Sequence, residues 1–275
     1  MDTSFDYVRN FVRTEAGIVL DSGKEYLVES RLAPIVRSEG MSSVDALVQT
    51  LLTTRRTELH RRVVDALTTN ETTFFRDVEP FELLRTELLP ALIKTRQLSK
   101  RLSIWYAASS TGQEPYSVSM LIREHFPELA SWTIDQVATD LSRPVLDRAR
   151  AGAYSQLEVN RGLPVKLLVR YFDKRGLEWQ LKDHIRSMVN FQELNLNGVW
   201  PWPCLPQFDI VFIRNVMIYF DVPDKQKILG RIYDRLRPDG YLFLGAAETT
   251  MNLDDRFTRL PVNRAGCYKP IRPKA

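Results

Sequence analysis

The chain has 275 residues, 44% of them hydrophobic and 26% charged, with a formal net charge of +4 and a pI near 9.0. That balance fits one large or two modest folded domains and excludes a disordered chain. It also excludes a helical bilayer span, because no apolar run approaches ~20 residues. The mild basic excess demands no nucleic acid, and no basic run alternates with aromatics.

The opening stretch MDTSFDYVRNFV mixes acids among its apolar residues. It does not read as a secretory signal, so a cytoplasmic location is expected. In DYVRNFVRTEAGIVL and KEYLVESRLAPIVRSEG apolar residues recur three and four apart, which predicts helices. Gly40 reads as a helix stop, and SSVDALVQTLL restarts behind a serine cap. RRTELHRRVVDAL then reads as a further helix, with Leu52, Leu59, Val63 and Ala66 on one face. Arg61 points away from that face, and Arg55 and Arg62 flank it. Such a basic surface is either a solvated helix face or a docking surface for an acidic partner.

TTNETTFFRDVEP interrupts the helical pattern, and PFELLRTELLPALIKTRQ resumes it with Pro80 near its first turn. From about residue 100 the period changes. RLSIWYAA reads as a buried strand, EPYSVSMLIREHF as a helix, WTIDQVATD as a strand and SRPVLDRARAGAY as a helix. Phe208–Ile213 is a second apolar strand, and KQKILGRIYDRLRPDG is a helix closed by a Pro-Asp-Gly turn. YLFLGAAE and AGCYKP are the last strands. Alternating strands and helices predict an α/β fold with a parallel sheet covered on both faces. Between Leu163 and Leu196, LEWQL and SMVNFQ read as short strands of a small antiparallel insert.

The two cysteines, Cys204 and Cys267, have no histidine at ligand spacing and read as reduced thiols. His60, His125 and His184 are scattered, so neither a metal site nor a nucleophile triad is expected.

In open α/β sheets ligands bind at the carboxyl ends of the strands. Three such ends are readable: Ser109–Glu114, Asp140, and Arg214–Tyr219. Asp140 suits either the two hydroxyls of a ribose or a helix N-cap. A pyrophosphate loop needs several glycines, whereas this first loop has Gly112 alone and places Glu114 in the first helical turn. A carboxylate there repels a diphosphate and suits a cation, which favours S-adenosylmethionine over a dinucleotide. It also suits the helix dipole with no ligand at all. A nucleotide-dependent oxidoreductase and a non-catalytic signalling module are the competing readings.

NETTFFRD, STGQEPYSVSM, ATDLSRPVLDRARAGAY, FDIVFIRNVMIYFD and RPDGYLFLGAAET, in this order from Asn70 to Glu248, resemble the CheR family of chemotaxis receptor methyltransferases. The resemblance implies a class I, Rossmann-like methyltransferase sheet behind an all-helical N-terminal domain, with a small antiparallel β insert. The expected division is 1–75 and 76–275, with the insert at about 160–193. It implies methylation of chemoreceptor glutamates from S-adenosyl-L-methionine, leaving S-adenosylhomocysteine. Asn70, Thr72, Arg76, Glu114, Asp140, Asn195, Leu196, Arg214 and Asn215 would bind the cofactor. Glu114 would take its amino end, Asp140 its ribose, and Asn195 and Leu196 its adenine. Arg76 and Tyr219 would serve catalysis. Arg55, Arg56, Arg61 and Arg62 are candidates to meet acidic receptor methylation helices. A monomer recruited to receptor arrays is expected. The short connection DKRGLEWQ suggests a member that does not need a receptor pentapeptide tether.

Overall fold

The computed structural model describes residues 3–200, 207–261 and 265–272. Four helices open the chain: α1 (Thr3–Ala16), α2 (Glu25–Ser38), α3 (Val44–Thr53) and α4 (Glu58–Leu67). They bury one cluster that includes Val8, Val12, Leu32, Leu47 and Val63. Ser43 caps α3 by accepting from the Ala46 amide. Thr57 starts α4 in a capping box whose third residue is His60 rather than an acid. The other ring nitrogen of His60 meets the Leu51 carbonyl at 3.1 Å, so both nitrogens serve the fold.

That cap corrects one expectation. The run RRTELH is not continuous helix: Arg55 and Arg56 lie in the loop between α3 and α4. Leu52, expected on the apolar face, is 55% exposed on α3. Thr57 favours the N-cap because its side chain competes for backbone bonds in a non-helical conformation.

A bent helical stretch follows, α5 (Val78–Leu83) and α6 (Leu89–Thr95), joined by a π-helical turn, Leu84–Leu88. Pro90, just beyond that turn, has no N–H to offer a regular ladder. Then come β1 (Arg101–Ala107), α7 (Gln113–His125), β2 (Thr133–Asp140), α8 (Arg143–Ala151), β3 (Ala153–Ser155), α9 (Gln156–Asn160), α10 (Val165–Tyr171), β4 (Phe172–Arg175) and β5 (Glu178–Leu181). The chain continues through α11 (Asp183–Arg186), β6 (Val189–Glu193), β7 (Phe208–Ile213), α12 (Val222–Arg235), β8 (Leu236–Leu244), β9 (Phe257–Arg259) and β10 (Cys267–Pro270).

The main sheet runs β6-β2-β1-β7-β8-β10-β9. The first five strands are parallel, and β10 lies antiparallel between β8 and β9. Side chains alternate across it. Ile104, Tyr106 and Phe212 pack on the α7 side, whereas Trp105, Val211 and Ile213 pack on the α12 side. The central strands are buried on both faces, which is why they read as unbroken apolar runs.

Two expectations for the insert are corrected. Val189–Glu193 is not part of it but the outer parallel strand beside β2. The small antiparallel sheet is β3-β5-β4, and it recruits Ala153 and Tyr154, which the sequence reading placed at the end of a helix. Gly152 in the left-handed region ends α8 and turns the chain into β3. The β4–β5 hairpin turns on Gly176 and Leu177 alone. Cys267 is buried, and burial pushes its thiol up to about 12; Cys204 lies outside the described residues.

Candidate active site

The cleft forms where the tips of β1, β2 and β7 meet the segment that links the helical domain to the sheet. It holds about 910 Å³ of empty space, counting its open mouth. The linking segment contributes Asn70, Thr72 and Arg76. The Asn70 carbonyl accepts from Ser110 Oγ at 2.7 Å, and its side chain donates to Thr68. Arg76 is partly exposed and donates to the Glu71 carbonyl at 3.1 Å. Among the described residues it forms no ion pair.

The β1 loop is built on left-handed backbone at Ala108, Ser110 and Gly112. Gly112 has φ +90, and a Cβ there would sit 3.1 Å from Ala149 and Tyr116. The single glycine is therefore a tight-packing requirement as well as a turn requirement. Asp140, at the β2 tip, accepts from the backbone amides of Ser110 at 2.8 Å and Ser142 at 3.0 Å. Asp140 is not the N-cap of α8, a place taken by Ser142; its carboxylate stitches two loops and lines the cleft. Burial pushes this carboxyl up, against those backbone amides, which act to lower it.

Glu114 opens α7, and Arg214 follows β7. They pair at 2.6 Å, with only 3% of the Arg214 side chain exposed. The other terminal nitrogen of Arg214 holds Asp77 at 2.8 Å and the Arg76 carbonyl at 3.0 Å. Burial raises the Glu114 carboxyl, and Arg214 opposes that shift by charge and hydrogen bond. Asn215 adopts φ 58, which a small polar side chain tolerates.

Asn195 and Leu196 close the far end beyond β6. Asn195 donates to the Glu15 carbonyl at 2.6 Å, tying this wall to the helical domain. Ala16 and Ile18 line the cleft from that domain, and the Val19 amide bonds the Tyr219 carbonyl at 2.9 Å. All ten residues expected to bind cofactor or serve catalysis thus lie on one cleft.

None of the four docking candidates lines it. Arg56 pairs with Glu15, Arg61 with Glu58, and Arg62 with Glu39 and Ser38. Arg55 is exposed and, among the described residues, forms no ion pair.

Glu248 carries no role in the reading of the sequence. Its buried carboxylate accepts from four backbone amides: Gly245 at 2.6 Å, Asn215 at 2.8 Å, Val216 at 2.9 Å and Met217 at 2.7 Å. It fastens the β7 loop to the end of β8. An acid three residues after Gly245 was visible, but its other three partners lie some thirty residues upstream.

The sheet order, with an antiparallel strand slotted beside the last position, and a cleft at the β1–β2–β7 tips define a class I S-adenosylmethionine-dependent methyltransferase. The donor set fits that cofactor: paired acids and hydroxyls suit a ribose and an ammonium, and no glycine-rich cradle is present for a diphosphate. Residues 70–265 match the family model for the CheR methyltransferase SAM-binding domain, and residues 3–68 match its all-alpha domain. The chain belongs to the CheR methyltransferase family.

It is 47% identical over 273 residues to Chemotaxis protein methyltransferase 1 of Pseudomonas aeruginosa, covering 98% of both chains. It is 43% identical to Chemotaxis protein methyltransferase Cher2 of Pseudomonas putida, covering 92% of each. It is 41% identical to Chemotaxis protein methyltransferase 1 of Vibrio cholerae, covering 96% of this chain and 95% of that one. Among the described residues no helix is long and apolar enough to cross a membrane.

Proposed function

We propose that this methyltransferase esterifies glutamate side chains on the methylation helices of chemoreceptors, the reaction that resets receptors during chemotactic adaptation. The curated relatives support the pathway. The observation that supports a carboxylate substrate is Arg76, a partly exposed guanidinium on the cleft wall that, among the described residues, bonds a backbone carbonyl and forms no ion pair. Asn70, Thr72, Glu114, Asp140, Asn195, Leu196, Arg214 and Asn215 would hold the cofactor, Glu114 facing its ammonium and Asp140 its ribose.

S-adenosylmethionine, when bound, supplies an electrophilic methyl group on a sulfonium, and transfer to a carboxylate leaves a methyl ester and S-adenosylhomocysteine. A glutamate of ordinary pKa ~4.3 is already ionised at neutral pH, so the chain need supply no general base. Its residues have three tasks: align the incoming carboxylate, exclude water and fix the donor. Arg76 is suited to the first, because a planar guanidinium grips a carboxylate through two parallel bonds. Tyr219, at the edge of the cleft, is suited to closing it.

Docking rests on Arg55, Arg56, Arg61 and Arg62, which offer charge to acidic helices. The insert, with its two-residue β4–β5 turn, fits a member acting without a receptor tether. Recruitment from the cytoplasm as a monomer completes the reading. Incubating the protein with receptor-containing membranes and methyl-labelled cofactor tests it. Base-labile label on receptor glutamates is the expected result; label on nitrogen, or none, would overturn it.

A further inference from the structure

We propose that the Ser109 hydroxyl is a direct ligand of the amino-acid end of S-adenosylmethionine. Ser109 is 2% exposed and lines the cleft. Its Oγ is buried and, among the described residues, has no hydrogen-bond partner. The rest of the residue is committed: its amide donates to the Thr139 carbonyl at 2.9 Å, and its carbonyl accepts from Gly112 at 3.1 Å. The neighbouring hydroxyls are committed too, Ser110 to the Asn70 carbonyl and Thr111 to Gln113. The fold thus uses both of the other hydroxyls of this loop and leaves this one. Buried hydroxyls are almost always paired because an unpaired one costs stability, so a polar partner from outside the chain is called for.

Topology says which part of a ligand it meets. β1 lies between β2, which carries Asp140, and β7, which leads to Arg214 and Asn215. A ligand touching both sides crosses the tip of β1, and Ser109 stands two residues beyond the last residue of that strand. Arg214 lines the same cleft, and its Nε is also buried and, among the described residues, without an acceptor. Two unspent donors beside the Glu114 carboxylate match a group carrying both an ammonium and a carboxylate on one carbon. The assignment rests on the reading that Glu114 faces that end of the cofactor.

The test compares wild type, Ser109→Ala and Glu114→Gln by calorimetric titration with S-adenosylhomocysteine and with 5′-methylthioadenosine, which lacks the amino-acid end. Thermal melts of each variant without ligand accompany it. Ser109→Ala should melt no lower than wild type, bind S-adenosylhomocysteine about ten- to a hundredfold more weakly, the range of one hydrogen bond to a charged group, and bind 5′-methylthioadenosine as wild type does. Unchanged affinity for the first ligand, or equal weakening for both, overturns the assignment. If Glu114→Gln weakens S-adenosylhomocysteine while Ser109→Ala does not, only the Ser109 role falls. If neither does, the placement of the amino-acid end falls with it.

Discussion

Arg214 donates to Glu114 at 2.6 Å and to Asp77 at 2.8 Å, so one buried guanidinium joins the start of α7 to the segment carrying Arg76. Removing one partner of a buried pair leaves the other charge uncompensated. Arg214→Met should therefore cost about 3–5 kcal/mol in urea denaturation. Adding Glu114→Gln should recover part of that loss, because the neutral amide no longer needs a counter-charge. A double variant as unstable as the single one would show that the loss comes from the Asp77 side.

Glu248 poses a sharper case. Oε1 accepts from Val216 and Met217, and Oε2 from Asn215 and Gly245. Whichever oxygen becomes NH₂ in Glu248→Gln, two amides lose their acceptor and face a donor. At about 1–3 kcal/mol per unsatisfied buried group, the near-isosteric change should cost roughly 2–6 kcal/mol. It should also loosen the Asn215–Tyr219 loop, so cofactor affinity falls with stability. Hydrogen exchange at the Asn215, Val216 and Met217 amides reads the loosening directly.

Much of this architecture was legible because β1 and β7 are buried on both faces and so read as continuous apolar runs. Glu114, Asp140, Arg214, Asn215 and Tyr219 were legible because they stand at strand ends, whereas Asn70, Thr72, Arg76, Asn195 and Leu196 came only from the resemblance to the CheR family. What failed had physical causes. Val189–Glu193 alternates like a half-buried strand, and consecutive strands pair more often than not; nothing local says that its partner is β2, some fifty residues earlier. The Arg55–Arg56 loop was hidden because His60, not an acid, completes the Thr57 cap. Glu248 was silent because its role depends on four amides set by the packing of β7 and β8.

Burial raises the Glu114 and Asp140 carboxyls above their ordinary values of 4.5 and 3.8. The folded state without ligand therefore holds these protons more tightly than the unfolded chain. Their contribution to stability is present below the unfolded values and lost as pH rises through the folded ones. Cofactor binding has the opposite sign, since an ammonium needs Glu114 ionised. Acidification from neutral pH should weaken S-adenosylhomocysteine binding, beginning above the ordinary carboxylate range. Titrations across that range check this, and Glu114→Gln should flatten the dependence. Affinity that rises on acidification would remove the ionised Glu114 from the site.

Among the described residues the Arg76 side chain makes one hydrogen bond, so Arg76→Ala should melt close to wild type. Loss of substrate alignment should lower kcat about 10²-fold. Arg76→Lys should not restore it, because an ammonium cannot make the paired, planar contact. Single-turnover methyl transfer at saturating cofactor separates alignment from binding. Near-normal turnover in Arg76→Ala would remove the residue from catalysis.

The docking arginines differ in how much charge they have to offer. Arg61 and Arg62 are partly neutralised by Glu58 and Glu39, whereas Arg55 is exposed and, among the described residues, unpaired. Exposed pairs are worth about 0–1 kcal/mol, so reversing these charges should leave the fold intact. Charges at the rim of an interface chiefly steer association and are screened by salt. Arg55→Glu should therefore raise KM for receptor membranes at low salt more than Arg62→Glu does, and leave kcat unchanged. The difference should shrink toward about 1 M salt, where the Debye length is ~3 Å. A KM effect that persists at high salt would mark a direct, desolvated contact, and no effect at any salt would take the docking surface off this helical face.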